Sequence, residues 1–168
     1  ERLEKTAGYA FKDRALLEKA LTHSSYAFEA RAEAPGDNEQ LEFLGDSVVG
    51  LVAAEFFLRA FPERSEGELS KLKASSTSTL ALAQLARAVK LDKAIHLGRG
   101  EEKSGGRKKV SILAGAFEAL AGAIYLDGGF EVVKEYVMRT MGAKIDAIAS
   151  SSHQQNYKAI LQQHAQKF

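Results

Sequence analysis

Apolar residues recur at helical spacing along most of this chain, and no stretch alternates apolar and polar positions between turns as a strand would. Leu16, Leu17, Ala20 and Leu21 share one face of a helix predicted over residues 14–30, with Asp13 as its N-cap. Pro35-Gly36 interrupts the pattern over 31–37, and Asn38 is placed to cap a long apolar helix over 39–60. Helical patterns return over 68–76 and 78–89. Residues 98–109 carry four glycines and several charges, and are expected to form an exposed, mobile loop. A strongly apolar helix is predicted over 110–126, stopped by Asp127-Gly128-Gly129, and another over 130–149. Residues 149–155 are small and polar, as a linker would be. Residues 156–168 have helical spacing at Tyr157, Ile160, Leu161 and Ala165, but one short helix builds no core of its own. The expected fold class is all-α.

Composition narrows the chemistry. The chain has 168 residues, enough for one domain with a core, and two prolines, which leaves its helices uninterrupted. With 23 Lys and Arg against 22 Asp and Glu, a polyanionic partner would have to be met by local patches. No apolar run is expected to approach the ~20 residues of a membrane span, so no membrane partner is expected. The absence of cysteine removes disulfides and thiolate metal sites, and it fits a reducing cytoplasm. A bound metal would therefore sit on oxygen or imidazole, which favours hard ions such as Mg²⁺ or Mn²⁺. His23, His96, His153 and His164 show no ligand spacing and are assigned structural or solvent roles.

The candidate chemistry is a set of carboxylates. On a helix, Glu42 and Asp46 fall about 40° apart and Glu39 about 60° from Glu42, amid Leu41, Phe43, Leu44, Val48 and Val49. Grouped acids on an apolar helix repel one another unless a cation neutralises them. The plainer reading is a solvent-facing stripe favoured near a helix N-terminus. Glu118 is the only acid between Glu102 and Asp127, set among Ala114, Ala116, Phe117, Ala119 and Leu120. Such a residue is costly unless metal-bound or paired with a Lys or Arg from another element.

The run Glu39-Gln40-Leu41-Glu42-Phe43-Leu44-Gly45-Asp46 closely resembles the signature of the ribonuclease III family. Thr22-His23-Ser24-Ser25-Tyr26, Glu66-Gly67-Glu68-Leu69-Ser70, Phe117-Glu118-Ala119-Leu120 and Gly122-Ala123-Ile124-Tyr125-Leu126-Asp127-Gly128-Gly129 resemble it in the same order. The resemblance implies a ribonuclease III endonuclease domain over 1–148 that forms a homodimer. The tail, 156–168, is similar to the first helix of a truncated α/β double-stranded RNA-binding domain, with Gln162 and Gln166 at RNA-facing positions. The family resemblance further implies Mg²⁺-dependent hydrolysis of double-stranded RNA, with Mn²⁺ as a substitute, to 5′-phosphate and 3′-hydroxyl products. It assigns Glu42, Asp46 and Glu118 as catalytic and metal-binding, Glu39 and Glu66 as accessory acids, and Phe43 to the dimer interface. A place for Phe43 in this chain's own core is the alternative.

One position departs from the family pattern, which has Asp where this chain has Gly115. Residues 115 and 118 share a helix face, so an Asp there would complete the cluster. Glycine binds no metal through a side chain and costs about 1 kcal/mol against Ala within a helix. Impaired activity is expected, and the competing reading is a catalytically silent RNA-binding or scaffold protein of the same fold. Close helix packing at Gly115 is the plainer explanation of the glycine.

Overall fold

The computed structural model describes residues 2–30 and 34–142. The expected linker, the tail helix with Gln162 and Gln166, and the end of the helix expected over 130–149 lie outside the described residues. The chain folds as α1 (Arg2–Ala7), α2 (Arg14–Leu21), α3 (Ser24–Ala30), α4 (Glu39–Ala60), α5 (Glu66–Ser76), α6 (Thr79–Ala88), α7 (Leu91–Ala94), α8 (Arg99–Lys103), a 3-10 turn (Gly106–Lys108), α9 (Val110–Gly128) and α10 (130–142). The described residues hold no strand, only an isolated bridge between Thr22 and His96, in keeping with the expected all-α class.

α9 is the axis around which the rest packs, with α4, α6 and α2 against it. Leu113 to Ile124 are buried throughout, apart from the half-buried Glu118. The expectation that no apolar run is long enough for a membrane span is corrected here. Val110–Gly128 has that length and apolarity, but most of it is buried inside the fold. α10 closes the core from the other side, where Tyr136 stacks on Phe117 with ring centroids 5.6 Å apart.

Three local expectations need correcting. Residues 14–30 form two helices. At Thr22 the backbone turns extended, His23 N–H donates to His96 O at 3.1 Å and His96 N–H to Leu21 O at 2.8 Å. Asp13 does cap α2, accepting from Ala15 N–H at 2.8 Å. Asn38 stands at the N-cap of α4 but its side chain is buried and donates to Ala20 O at 3.3 Å. Asp37 instead accepts from the Glu39 N–H at 3.2 Å. The expected mobile loop 98–109 is a pinned helix and turn. Arg107 donates to Asp92 O at 3.0 Å and Ile95 O at 2.9 Å, and pairs with Glu102 at 2.8 Å. Lys109 pairs with Glu101 at 2.6 Å. These interactions join Arg107 and Lys109 to acids or carbonyls of this chain.

Candidate active site

The site exists because α4 and α9 meet with almost no side-chain spacing. A Cβ built on Gly45 would run into the backbone of Glu118, whose carbonyl carbon would stand 2.5 Å away. One built on Gly122 would strike the Leu41 carbonyl oxygen and lie 3.2 Å from Gly45 N. Backbone touches backbone, so the side chains flanking this crossing, Glu42 and Asp46 on α4 and Glu118 on α9, are drawn towards one another. Close packing was expected within α9, at Gly115, but not at Gly45 of α4. The available signal was a glycine in the middle of a long apolar helix, where it costs about 1 kcal/mol without a packing reason.

The electrostatics show that the acids feel each other. Burial, then the charges of Asp46 and Glu42, push the Glu118 carboxyl up to about 7 from an ordinary 4.5. Burial, then the charges of Glu39 and Asp46, also raise Glu42. Glu118 makes no ion pair with a described Lys or Arg, so the ion-pair reading of this residue gains no support. Glu42 and Glu118 are half-buried, whereas Asp46 and Glu39 are exposed. Among the described residues, no three acidic or histidine side chains stand close enough, as placed, to grip one ion. The donor set is nevertheless of the type a hard divalent cation takes: half-buried oxygen ligands that repel one another.

Gly115 lies one turn before Glu118, and its missing side chain is filled from α4. A Cβ at Gly115 would sit 2.7 Å from Glu42 Cδ and 3.0 Å from Glu42 Oε1. The Glu42 carboxyl thus occupies the volume a side chain at 115 would claim. Glu66 is not brought to the cluster. It begins α5, accepts from the Ser70 hydroxyl at 2.7 Å and lines a groove with Arg64, Leu69 and Lys73. Phe43 is 78% exposed, which answers against a place in this chain's own core. It shares a side of α4 with Ser47 and Leu51, and these two line a 350 Å³ groove with Leu44, Val48, Tyr125 and Phe130.

Asp127 has a role that the sequence reading gave only to a helix stop. Its carboxylate accepts from Tyr9 Oη at 2.6 Å and from the Lys12 and Asp13 N–H groups at 2.9 Å each. Burial would raise this carboxyl, but those hydrogen bonds outweigh it and hold it below its usual range. The interaction ties the segment before α2 to the end of α9.

A model of the ribonuclease-III-like family matches residues 13–145. The chain belongs to the ribonuclease III family. It is 44% identical over 162 residues to ribonuclease 3 of Desulforamulus reducens, covering 96% of this chain and 66% of that protein. It is 44% identical over 164 residues to ribonuclease 3 of Treponema denticola, covering 98% of this chain and 66% of that one. The chain thus spans just under two thirds of the length of these relatives. Among solved structures, it superposes on the nuclease domain of ribonuclease III from Campylobacter jejuni with a TM-score of 0.78 at 41% identity, covering 84% of this chain and 94% of that one. Dicer from Pichia stipitis matches at a TM-score of 0.61 and 27% identity, covering 82% and 58%.

Proposed function

We propose that this ribonuclease III chain is a divalent-metal-dependent endoribonuclease acting on double-stranded RNA, weakened by Gly115. The observation that carries the reading is the α4–α9 crossing, which brings Glu42, Asp46 and Glu118 within electrostatic reach and pushes the Glu118 carboxyl up to about 7. Glu42, Asp46 and Glu118 would hold the ion, Mg²⁺ or in its place Mn²⁺. When bound, such an ion lowers the pKa of water, neutralises phosphate charge and stabilises the leaving oxygen, giving 5′-phosphate and 3′-hydroxyl ends.

This chain's own residues supply the frame. The glycine-lined crossing fixes the two backbones against each other. Asp46 is the exposed member, so a phosphodiester and its ion would approach from its side. With its carboxyl pushed up to about 7, Glu118 competes for a proton near neutral pH in the ion-free chain, and a cation would take that proton's place. Glu39, adjacent in space and charge to Glu42, would draw cations to the site. Glu66 stands apart within one chain, so an accessory role for it rests on the family resemblance alone.

The reading includes a homodimer. The Campylobacter jejuni nuclease domain has a region described as involved in dimer formation. Here the exposed Phe43 and the adjoining groove supply an apolar knob and an apolar recess on one side of α4. A fuller double-stranded RNA grip through Gln162 and Gln166 belongs to the same proposal.

The test is cleavage of a long RNA duplex with Mg²⁺ and with Mn²⁺ by this chain and by Gly115→Asp. The expected outcome is slow cleavage by the parent, stronger with Mn²⁺, and a gain of about 100-fold or more in Gly115→Asp, the scale of one lost group at a polar catalytic site. Equal rates would sink the ligand-loss account. No cleavage by either would favour the silent RNA-binding reading.

A further inference from the structure

We propose that Gly115 is a positioning residue, and that the absence of its side chain lets the Glu42 carboxylate settle against α9, away from the place where it would share an ion with Asp46 and Glu118. This rests on the reading of Glu42 as a cation ligand, and it goes beyond the loss of one ligand. It makes Gly115 responsible for the displacement of a second.

The geometry is specific. Gly45 and Gly122 are closed off by backbone atoms of the facing helix, whereas the space beside Gly115 is closed by a mobile group, the end of the Glu42 side chain. Glu42 Cδ would stand 2.7 Å from a Cβ at 115 and Oε1 3.0 Å from it, both shorter than a carbon can approach without displacement. Seated there, the carboxylate is half-buried against α9. The three acids, as placed, do not form a group able to hold an ion. A cation therefore has to draw Glu42 out of the notch before it gains that ligand, which weakens binding. Any side chain at 115, even one without a ligand atom, would do part of that work beforehand.

This separates two effects that a change to Asp would mix. Gly115→Ala adds a methyl group and no ligand. It should fold, because what it displaces is the end of a flexible side chain and because alanine favours a helix. Thermal unfolding checks this.

The experiment is calorimetric titration with MnCl₂ of four forms of the full chain: the parent, Gly115→Ala, Glu42→Gln and the double variant. Gly115→Ala is expected to bind Mn²⁺ about three- to tenfold more tightly than the parent, within the usual range of coupling between residues in contact. Glu42→Gln is expected to bind more weakly than the parent, and in that background the gain from Gly115→Ala should vanish. Appearance of measurable binding only in Gly115→Ala would carry the same meaning. With Glu42→Gln weakened, equal or weaker binding by Gly115→Ala overturns the positioning role, and so does an equal gain in the Glu42→Gln background. If Glu42→Gln leaves affinity unchanged, or if none of the four forms binds Mn²⁺, the assignment of Glu42 as a ligand fails and the positioning role fails with it.

Discussion

Glu118 is where the energetics of the site are concentrated. In the folded chain its carboxyl is pushed up to about 7 from 4.5, by burial first and then by the charges of Asp46 and Glu42. Between those two values the folded chain holds a proton that the unfolded chain has released, so stability falls as pH rises through this window and levels off above it. Below pH 4.5 the group is protonated in both states and contributes no difference. Glu118→Gln removes the charge while keeping the shape. In chelator, the variant is expected to be more stable than the parent at pH 8 by about 2 kcal/mol, allowing for solvent at a half-buried site, and nearly equal to it at about pH 4.5. Urea unfolding at the two pH values measures this, and a parent as stable as the variant at pH 8 would show that Glu118 is not strained by its ionisation. The isolation of Glu118 among apolar residues made it legible as a candidate. Its neighbours across the helix crossing were legible only through the family resemblance, because they come from α4, far earlier in the chain, where no spacing links them to Glu118.

At the level of elements, the two long helices carry the account. Their lengths and apolar faces follow from spacing alone, and so does the shared face of Glu42 and Asp46. How closely they approach does not, since that depends on Gly45 meeting the Glu118 carbonyl and Gly122 meeting Leu41. Gly45→Ala places a methyl group against backbone, which cannot rotate away. It is expected to cost about 3 kcal/mol or more, as the helices are forced apart and the core between them loosens. An unchanged urea midpoint would mean that the helices do not meet backbone to backbone at this point. The breaks that spacing failed to foresee share one cause. α2 ends at Thr22 because His96, far along the chain, offers backbone partners. Residues 98–109 hold a fixed shape because Arg107 finds the Asp92 and Ile95 carbonyls. Local pattern contains neither partner.

For the whole molecule, α9 acts as the core around which the sequence wraps the other helices, and the active-site candidates lie along one of its seams. An all-α fold was readable from periodicity, and the family from ordered motifs. The proposed homodimer would use surfaces that one chain leaves bare. Phe43, 78% exposed beside the groove lined by Leu51 and Phe130, is the foremost of these. Phe43→Ala is expected to weaken self-association by about 2 kcal/mol, the scale of an aromatic anchor, as read by sedimentation equilibrium. An unchanged dimerisation constant would remove Phe43 from the interface.

Anomalous diffraction from crystals of this chain grown with Mn²⁺ decides whether carboxylates of α4 and α9 converge on one divalent ion. The expected result is an anomalous peak among Glu42, Asp46 and Glu118, with oxygen atoms from both helices around it. A Mn²⁺ bound elsewhere, with no peak between those helices, would rule out a shared ion site at the crossing.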